Sequence, residues 1–277
     1  MERKVFFLLV VVSICVVACS SKSQQSELEA MDYQLIFRDD AGRELTLADI
    51  KKVNGDVSYQ IVTEASVPLD AKRLHAQGRE LGSQGKYDQA LEVFEKAHQL
   101  APDWPYPLYD AAFTYLLKGD NKKALEYYIA VNEIAPRGFF TVKPAVDTLE
   151  REQAGIVNEG TYGLLVQLEW MKDLDAKKRI LTQILEETPQ LPLAWKELAV
   201  LLEDDEASLE AIDKGLSYQP DLETKGVLLV NKALILYRQG NENEAIAMLG
   251  ELALDPESTV QTEHMAKATL ASLLLDK

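Results

Sequence analysis

Two stretches of this chain repeat each other at a distance of 34 residues. Ala90 and Ala124 are 34 apart, and so are Pro102 and Pro136. Similar residues recur around them at the same offset: Gly78 and Ala112, Leu81 and Tyr115, Gly85 and Gly119, Phe94 and Tyr128, Ala97 and Val131. A period of this length marks a supersecondary unit that cannot cover its own apolar faces and must stack on its neighbours. Each position has a physical reason. Gly78 or Ala112 on a first helix, and Ala90 or Ala124 on a second, fit where backbones approach closely, and a larger side chain there overpacks at about 1–3 kcal/mol. Gly85 and Gly119 permit the chain to reverse between helices. Pro102 and Pro136 fall in connections, where no helical N–H is required. Residues 71–104 and 105–138 are therefore expected to form two antiparallel helix pairs.

Later stretches keep the pattern more loosely. Residues 226–258 carry Ala233, Leu236, Gly240, Ala245, Leu249 and Leu252 at the right mutual spacing, with Pro256 one place early. Residues 192–222 fit another unit with a shortened turn, through Trp195, Leu198, Ala199, Ile212, Gly215 and Pro220. Residues 161–191 read as a degenerate pair with Leu165, Leu168, Leu181, Ile184 and Leu185. Residues 139–160 break the period with Pro144, Gly155 and Gly160, and read as an insertion holding one short helix. A final amphipathic helix over residues 260–275 suits a cap on the stack.

These residues stand at the signature places of the tetratricopeptide repeat, and the chain resembles that family over residues 64–277. The resemblance implies an all-α fold, a right-handed α-solenoid of antiparallel helix pairs, and a role in binding proteins or peptides. It also implies that positions 2, 5, 9, 12 and 13 of each first helix line a concave groove. In the first unit those positions include Lys72, His75 and Arg79; in the second they are Tyr106, Tyr109, Phe113, Leu116 and Leu117. Val230, Leu234 and Tyr237 give the later groove an apolar lining. Repeats that grip a C-terminal carboxylate use Lys and Asn where this chain has His75, Arg79 and Asp110, and Asp110 would repel such a ligand. An aromatic stripe beside a basic pair suits an extended peptide instead. The stripe either faces such a partner or is covered by the chain's own hairpin or insertion.

The amino terminus reads as an address. Arg3 and Lys4 precede an apolar run, Val5 to Ala18, too short to span a membrane as a helix. The run ends in Val16-Val17-Ala18-Cys19, which resembles the bacterial lipobox. The resemblance implies cleavage after Ala18, so that residues 1–18 are a signal peptide, and acylation of Cys19. Several acyl chains hold a protein on a membrane far more firmly than one. With Ser20 as the second mature residue, the same resemblance implies the periplasmic face of the outer membrane in a Gram-negative cell. Residues 19–31 are polar and read as a flexible tether. Residues 32–63 read as a small two-stranded hairpin, Tyr33, Leu35 and Phe37 against Val57, Tyr59 and Ile61, with a helical insert after Thr46. A lone hairpin is marginal in water, so it packs on the first repeat or becomes ordered on a partner.

Charge narrows the partner. The net charge of −16 repels phosphate backbones and argues against nucleic acid. Cys15 and Cys19 are the two cysteines, so no disulfide framework exists beyond them. His75, His98 and His264 are far apart, and neither HExxH nor GxSxG occurs. Gly82-Ser83-Gln84-Gly85-Lys86 lacks the first glycine and the closing Ser or Thr of a phosphate loop and reads as a turn. Glu203-Asp204-Asp205-Glu206 reads as a solvated turn rather than a cation site. The expectation is a lipid-anchored, non-catalytic interaction scaffold without cofactor or metal. A self-associating envelope component is the alternative, and a hydrolase built on the acidic turn or the hairpin a remote one.

Overall fold

The computed structural model describes residues 14–16, 34–39, 43–45, 57–62 and 67–274. The chain divides into two compact units, residues 1–142 and 143–277.

The first unit opens with a four-stranded sheet in the order β1-β4-β2-β3. Its strands are β1 (Ile14–Val16), β2 (Gln34–Asp39), β3 (Glu44–Leu45) and β4 (Val57–Val62). β2 and β4 run antiparallel, with Leu35 opposite Ile61 and Phe37 opposite Tyr59. The expected hairpin thus acquires a third strand, β3, just before the expected helical insert, and a parallel edge strand, β1, from within the run read as a signal peptide. The expected helical insert, and Cys19 with its tether, lie outside the described residues.

Four helices follow: α1 (Leu69–Ser83), α2 (Tyr87–Leu100), α3 (Tyr106–Leu117) and α4 (Asn121–Ile134). α1 packs on α2, α2 on α3 and α3 on α4, and the two first helices, α1 and α3, also touch. Both chain reversals use one device. Gly85, at φ +73°, donates its N–H to Gly82 while Lys86 N–H reaches back to Leu81; Gly119, at φ +74°, bonds Leu116 while Asp120 N–H reaches Tyr115. These are Schellman ends, in which left-handed backbone satisfies the last carbonyls of a helix, and glycine adopts that backbone without a Cβ clash. Between the helices, Gly78 is a point of close approach: a Cβ there would stand 2.4 Å from the Phe94 ring. Ala90, Ala112 and Ala124 are fully buried.

The second unit is helical among its described residues: α5 (Val142–Gln153), α6 (Thr161–Glu169), α7 (Leu174–Glu187), α8 (Pro192–Ala199), α9 (Asp205–Ser217), α10 (Leu222–Arg238), α11 (Glu242–Leu254) and α12 (Val260–Leu274). From α7 to α12 each helix packs on the next, and α8 touches α10 as α10 touches α12. The Schellman glycine recurs at Gly155 and Gly240. Aspartates open the helices: Asp173 accepts from Ala176 N–H, Asp204 from Ala207 N–H, and Asp221 from Glu223 and Thr224 N–H. Asp204 is therefore a helix cap, and Asp205 beside it pairs with Arg238. α8 ends where the chain turns at residues 200–204, and the single Ser208 hydroxyl proton is shared between the Ala199 and Leu202 carbonyls at 3.1 and 3.2 Å. The core of this unit gathers around Ala199, Ala211, Ile212, Leu228 and Ile235. None of the described helices is long and apolar enough to cross a membrane.

Candidate protein-binding surface

The first helices of the first unit, α1 and α3, carry the basic and aromatic residues singled out from the sequence. Lys72 and Arg79 are exposed on α1, about one turn to either side of His75. His75 is not a free groove residue: it is 8% exposed, packed edge-on to Trp104 at 4.9 Å and to Tyr106 at 5.7 Å. Its Nε2 lies 2.8 Å from Asp110 Oδ2, and Arg79 Nε is 3.7 Å from the same oxygen. Asp110 thus engages the buried His75 directly, while Arg79 stays largely exposed at the margin of ion-pair distance.

The aromatic stripe has an occupant. Phe139 and Phe140, which follow Gly138, fold back over α3 and are 1% and 9% exposed. Phe139 meets Tyr106 edge-on at 5.1 Å and Tyr109 at 5.6 Å. Phe140 stacks on Tyr109 at 4.7 Å and stands edge-on to Tyr106 at 5.5 Å. Tyr109 Oη shares a 3.1 Å hydrogen bond with Thr141 Oγ1. At Tyr106 and Tyr109, of the two arrangements open for the stripe, the structure has the one in which the start of the insertion covers it. To reach this position Phe140 adopts φ +46°, an uncommon conformation for a residue with a bulky side chain. Phe113 and Leu116, further along α3, are half-buried.

The apolar lining expected in the second unit is partly core. Val230 is 2% exposed and belongs to the interior of α10, a helix against which α8 and α12 both pack. Leu234 and Tyr237 are half-buried, and Tyr237 Oη reaches the Leu273 carbonyl at 3.5 Å.

Sequence reading missed a buried ionic cluster in this unit. Lys177 Nζ on α7 lies 2.8 Å from Glu197 Oε2 on α8, and Lys196 Nζ lies 2.9 Å from Glu197 Oε1. Burial alone would raise the Glu197 carboxyl, but the two ammonium groups outweigh it and hold it at about 2. Glu223, at the start of α10, is 5% exposed. Burial first, and then the Asp221 carboxylate, push it well above the ordinary carboxylate range, against the opposing pull of Lys196 and Lys143. The Lys177–Glu197 contact joins residues twenty apart on different helices, so helical periodicity could not reveal it. Among the described residues no group of three or more His, Cys, Asp or Glu side chains is placed to hold a metal ion.

Several solved structures resemble the chain. A thermophilic TPR protein of Thermus thermophilus, TTC0263, is 20% identical, with 74% of this chain and 99% of that one covered at a TM-score of 0.31. A tetratricopeptide repeat protein from Parabacteroides merdae is 16% identical, with 74% and 87% covered and a TM-score of 0.32. YrrB, described as a TPR protein with an unusual peptide-binding site, is 17% identical, with 72% and 92% covered and a TM-score of 0.30. The comparison with curated proteins found no match. The family model described as tetratricopeptide repeat matches residues 83–138, the stretch from the first glycine turn to the end of the second helix pair. Over that stretch the chain is similar to tetratricopeptide repeats.

Proposed function

We propose that this chain is a non-catalytic interaction scaffold of the bacterial cell envelope, anchored by acyl chains on Cys19, whose helix pairs bind a protein or peptide partner. The observation that carries the reading is the grip of Tyr106 and Tyr109 on Phe139 and Phe140. A rigid face that holds two adjacent aromatic side chains of its own chain has the shape and chemistry to hold those of another. Tyr supplies large contact area at small entropic cost, and Phe140 gives up strained backbone when it leaves. The tetratricopeptide match over residues 83–138 supports the same reading, since α3 lies within it.

The test has two arms. Crosslinking in native membranes, followed by purification, compares the wild type with Tyr109→Ala/Phe113→Ala and with Phe139→Ala/Phe140→Ala. The reading expects the first variant to lose partners and the second to gain occupancy of the opened face. Identical partner sets for all three would remove the groove from consideration. Metabolic labelling with an alkyne-bearing fatty acid tests the anchor: label on the wild type and none on Cys19→Ser is the expected result.

A further inference from the structure

The second unit carries an open groove that plays no part in the reading above. It lies where the start of α10 and the end of α11 meet the connection into α12, and its volume is about 770 Å³. Leu222 and Leu229 of α10 and Met248 and Leu254 of α11 give it an apolar lining. Leu254 is 82% exposed and Leu222 44% exposed, so two large aliphatic side chains of the groove wall stand in water. The floor is fixed rather than collapsible. At Gly226 a Cβ would stand 2.0 Å from Thr262 Oγ1, so α10 and α12 approach closely there. Thr262 is in turn held by Thr259 Oγ1, which donates to its hydroxyl at 2.9 Å and accepts from its N–H at 3.1 Å. At Gly250, by contrast, a Cβ would meet nothing within 4 Å, which leaves the groove open on the α11 side.

The rim has one sign. Glu244, Glu251, Asp255 and Glu257 line it and are exposed, and Lys225 is the one cation among its lining residues. None of the four carboxylates forms an ion pair among the described residues; Asp255 only accepts the Glu257 N–H at its own helix end. The sequence makes this local: from residue 239 to residue 266 there are six carboxylates and no Lys or Arg. An apolar floor with an anionic rim selects its occupant by charge complementarity. A second copy of this chain, at net charge −16, brings the wrong sign, and so does any phosphate-bearing surface. We infer that this groove docks a cationic amphipathic segment of a partner protein. Its apolar side chains cover Leu222, Leu229, Met248 and Leu254, and its Lys or Arg side chains face the four carboxylates, in the manner of a helix laid in a groove. The site is formed by the second unit alone and stands or falls independently of the Phe139–Phe140 face.

The probe is a synthetic amphipathic peptide of Leu and Lys, with Leu at helical spacing, and a matched peptide of Leu and Glu. Surface plasmon resonance on the full chain, immobilised at its amino terminus, measures both. The Leu/Lys peptide is expected to bind and the Leu/Glu peptide is not. Leu254→Ser removes an exposed aliphatic side chain without touching the core or altering the charge of the rim, and is expected to weaken binding by about tenfold or more, as loss of one buried aliphatic contact does. Glu251→Lys/Glu257→Lys is expected to weaken it at least as much. Glu186→Lys/Glu187→Lys, an equal change of charge on exposed positions of α7, controls for general attraction and is expected to leave affinity near wild type. Wild-type affinity in Leu254→Ser, equal losses in the two double variants, or equal binding of the Leu/Glu peptide would each overturn the inference.

Discussion

Phe140 and Tyr109 stack with their ring centroids 4.7 Å apart and their planes 30° from parallel. They lie on different segments of the chain, and Phe140 takes a left-handed backbone where the contact is made. The pair therefore sets packing gain against backbone strain, and the two can be separated by substitution. Phe140→Ala loses the ring and keeps the strain, and should destabilise the first unit by about 3–5 kcal/mol. Phe140→Gly loses the ring but relieves the strain, and should be more stable than Phe140→Ala by about 1 kcal/mol, the reverse of the usual order. Urea unfolding followed through Trp104 fluorescence, in a background with Trp170 and Trp195 replaced by Phe, measures both.

Asp110 serves two basic side chains, His75 at 2.8 Å and Arg79 at 3.7 Å. Arg79 is largely exposed and its share is small; His75 is buried and its share is the larger. Asp110→Ala should cost about 1.5–3 kcal/mol, the range for a hydrogen bond to a charged group. Arg79→Ala should cost well under half of that. Thermal melts of the two single variants give the comparison, and equal shifts would contradict it.

Glu197 is held at about 2 by Lys196 and Lys177. Its folded value lies below its ordinary value near 4.3, so its contribution is complete above that pH and is lost as pH falls toward 2. Glu197→Gln leaves two ammonium groups without their carboxylate and should destabilise the second unit by about 3–5 kcal/mol at neutral pH. The variant should also lose part of the steep acid dependence expected of the wild type between about pH 4.5 and 2. An acid titration of circular dichroism on both proteins provides the test.

Glu223 behaves in the opposite sense. Burial and Asp221 raise its carboxyl, so the folded chain keeps a proton that the unfolded chain releases, and stability falls as pH rises above the ordinary carboxylate value. Glu223→Gln lacks that proton exchange. Its melting temperature should match the wild type near pH ~4 and exceed it near pH ~8. A wild-type advantage at the higher pH would mean that Glu223 is ionised and stabilised in the folded state.

Much of the helix-pair architecture was legible because it is local. Gly85 and Gly119 announce left-handed turns, and Gly78 faces Phe94 within one hairpin, so spacing alone carries the information. Asp204 reads as polar turn chemistry and proves to be a cap for the same reason. What spacing could not decide was long-range. Cover of the stripe by the insertion was one of the two arrangements left open, but Phe139 and Phe140 follow a broken period, and nothing in their spacing says that they are the residues that turn back onto α3. Lys177 and Glu197 sit in two loosely patterned repeats, where charged residues read as solvated faces. Position within its repeat assigns Val230 to the groove, but the packing of two neighbouring helices on α10 accompanies its place inside.

The buried Lys177–Glu197–Lys196 cluster makes some parts of the chain exchangeable and others not. Apolar flanks tolerate sliding or substitution by similar flanks, and hairpins that end in the same glycine turn could be shuffled at little cost in backbone geometry. The α7–α8 junction could not: a hairpin transplanted there would arrive with bare charges facing its host, so recombination between related chains should find its viable crossover points at the glycine turns and avoid residues 177–197.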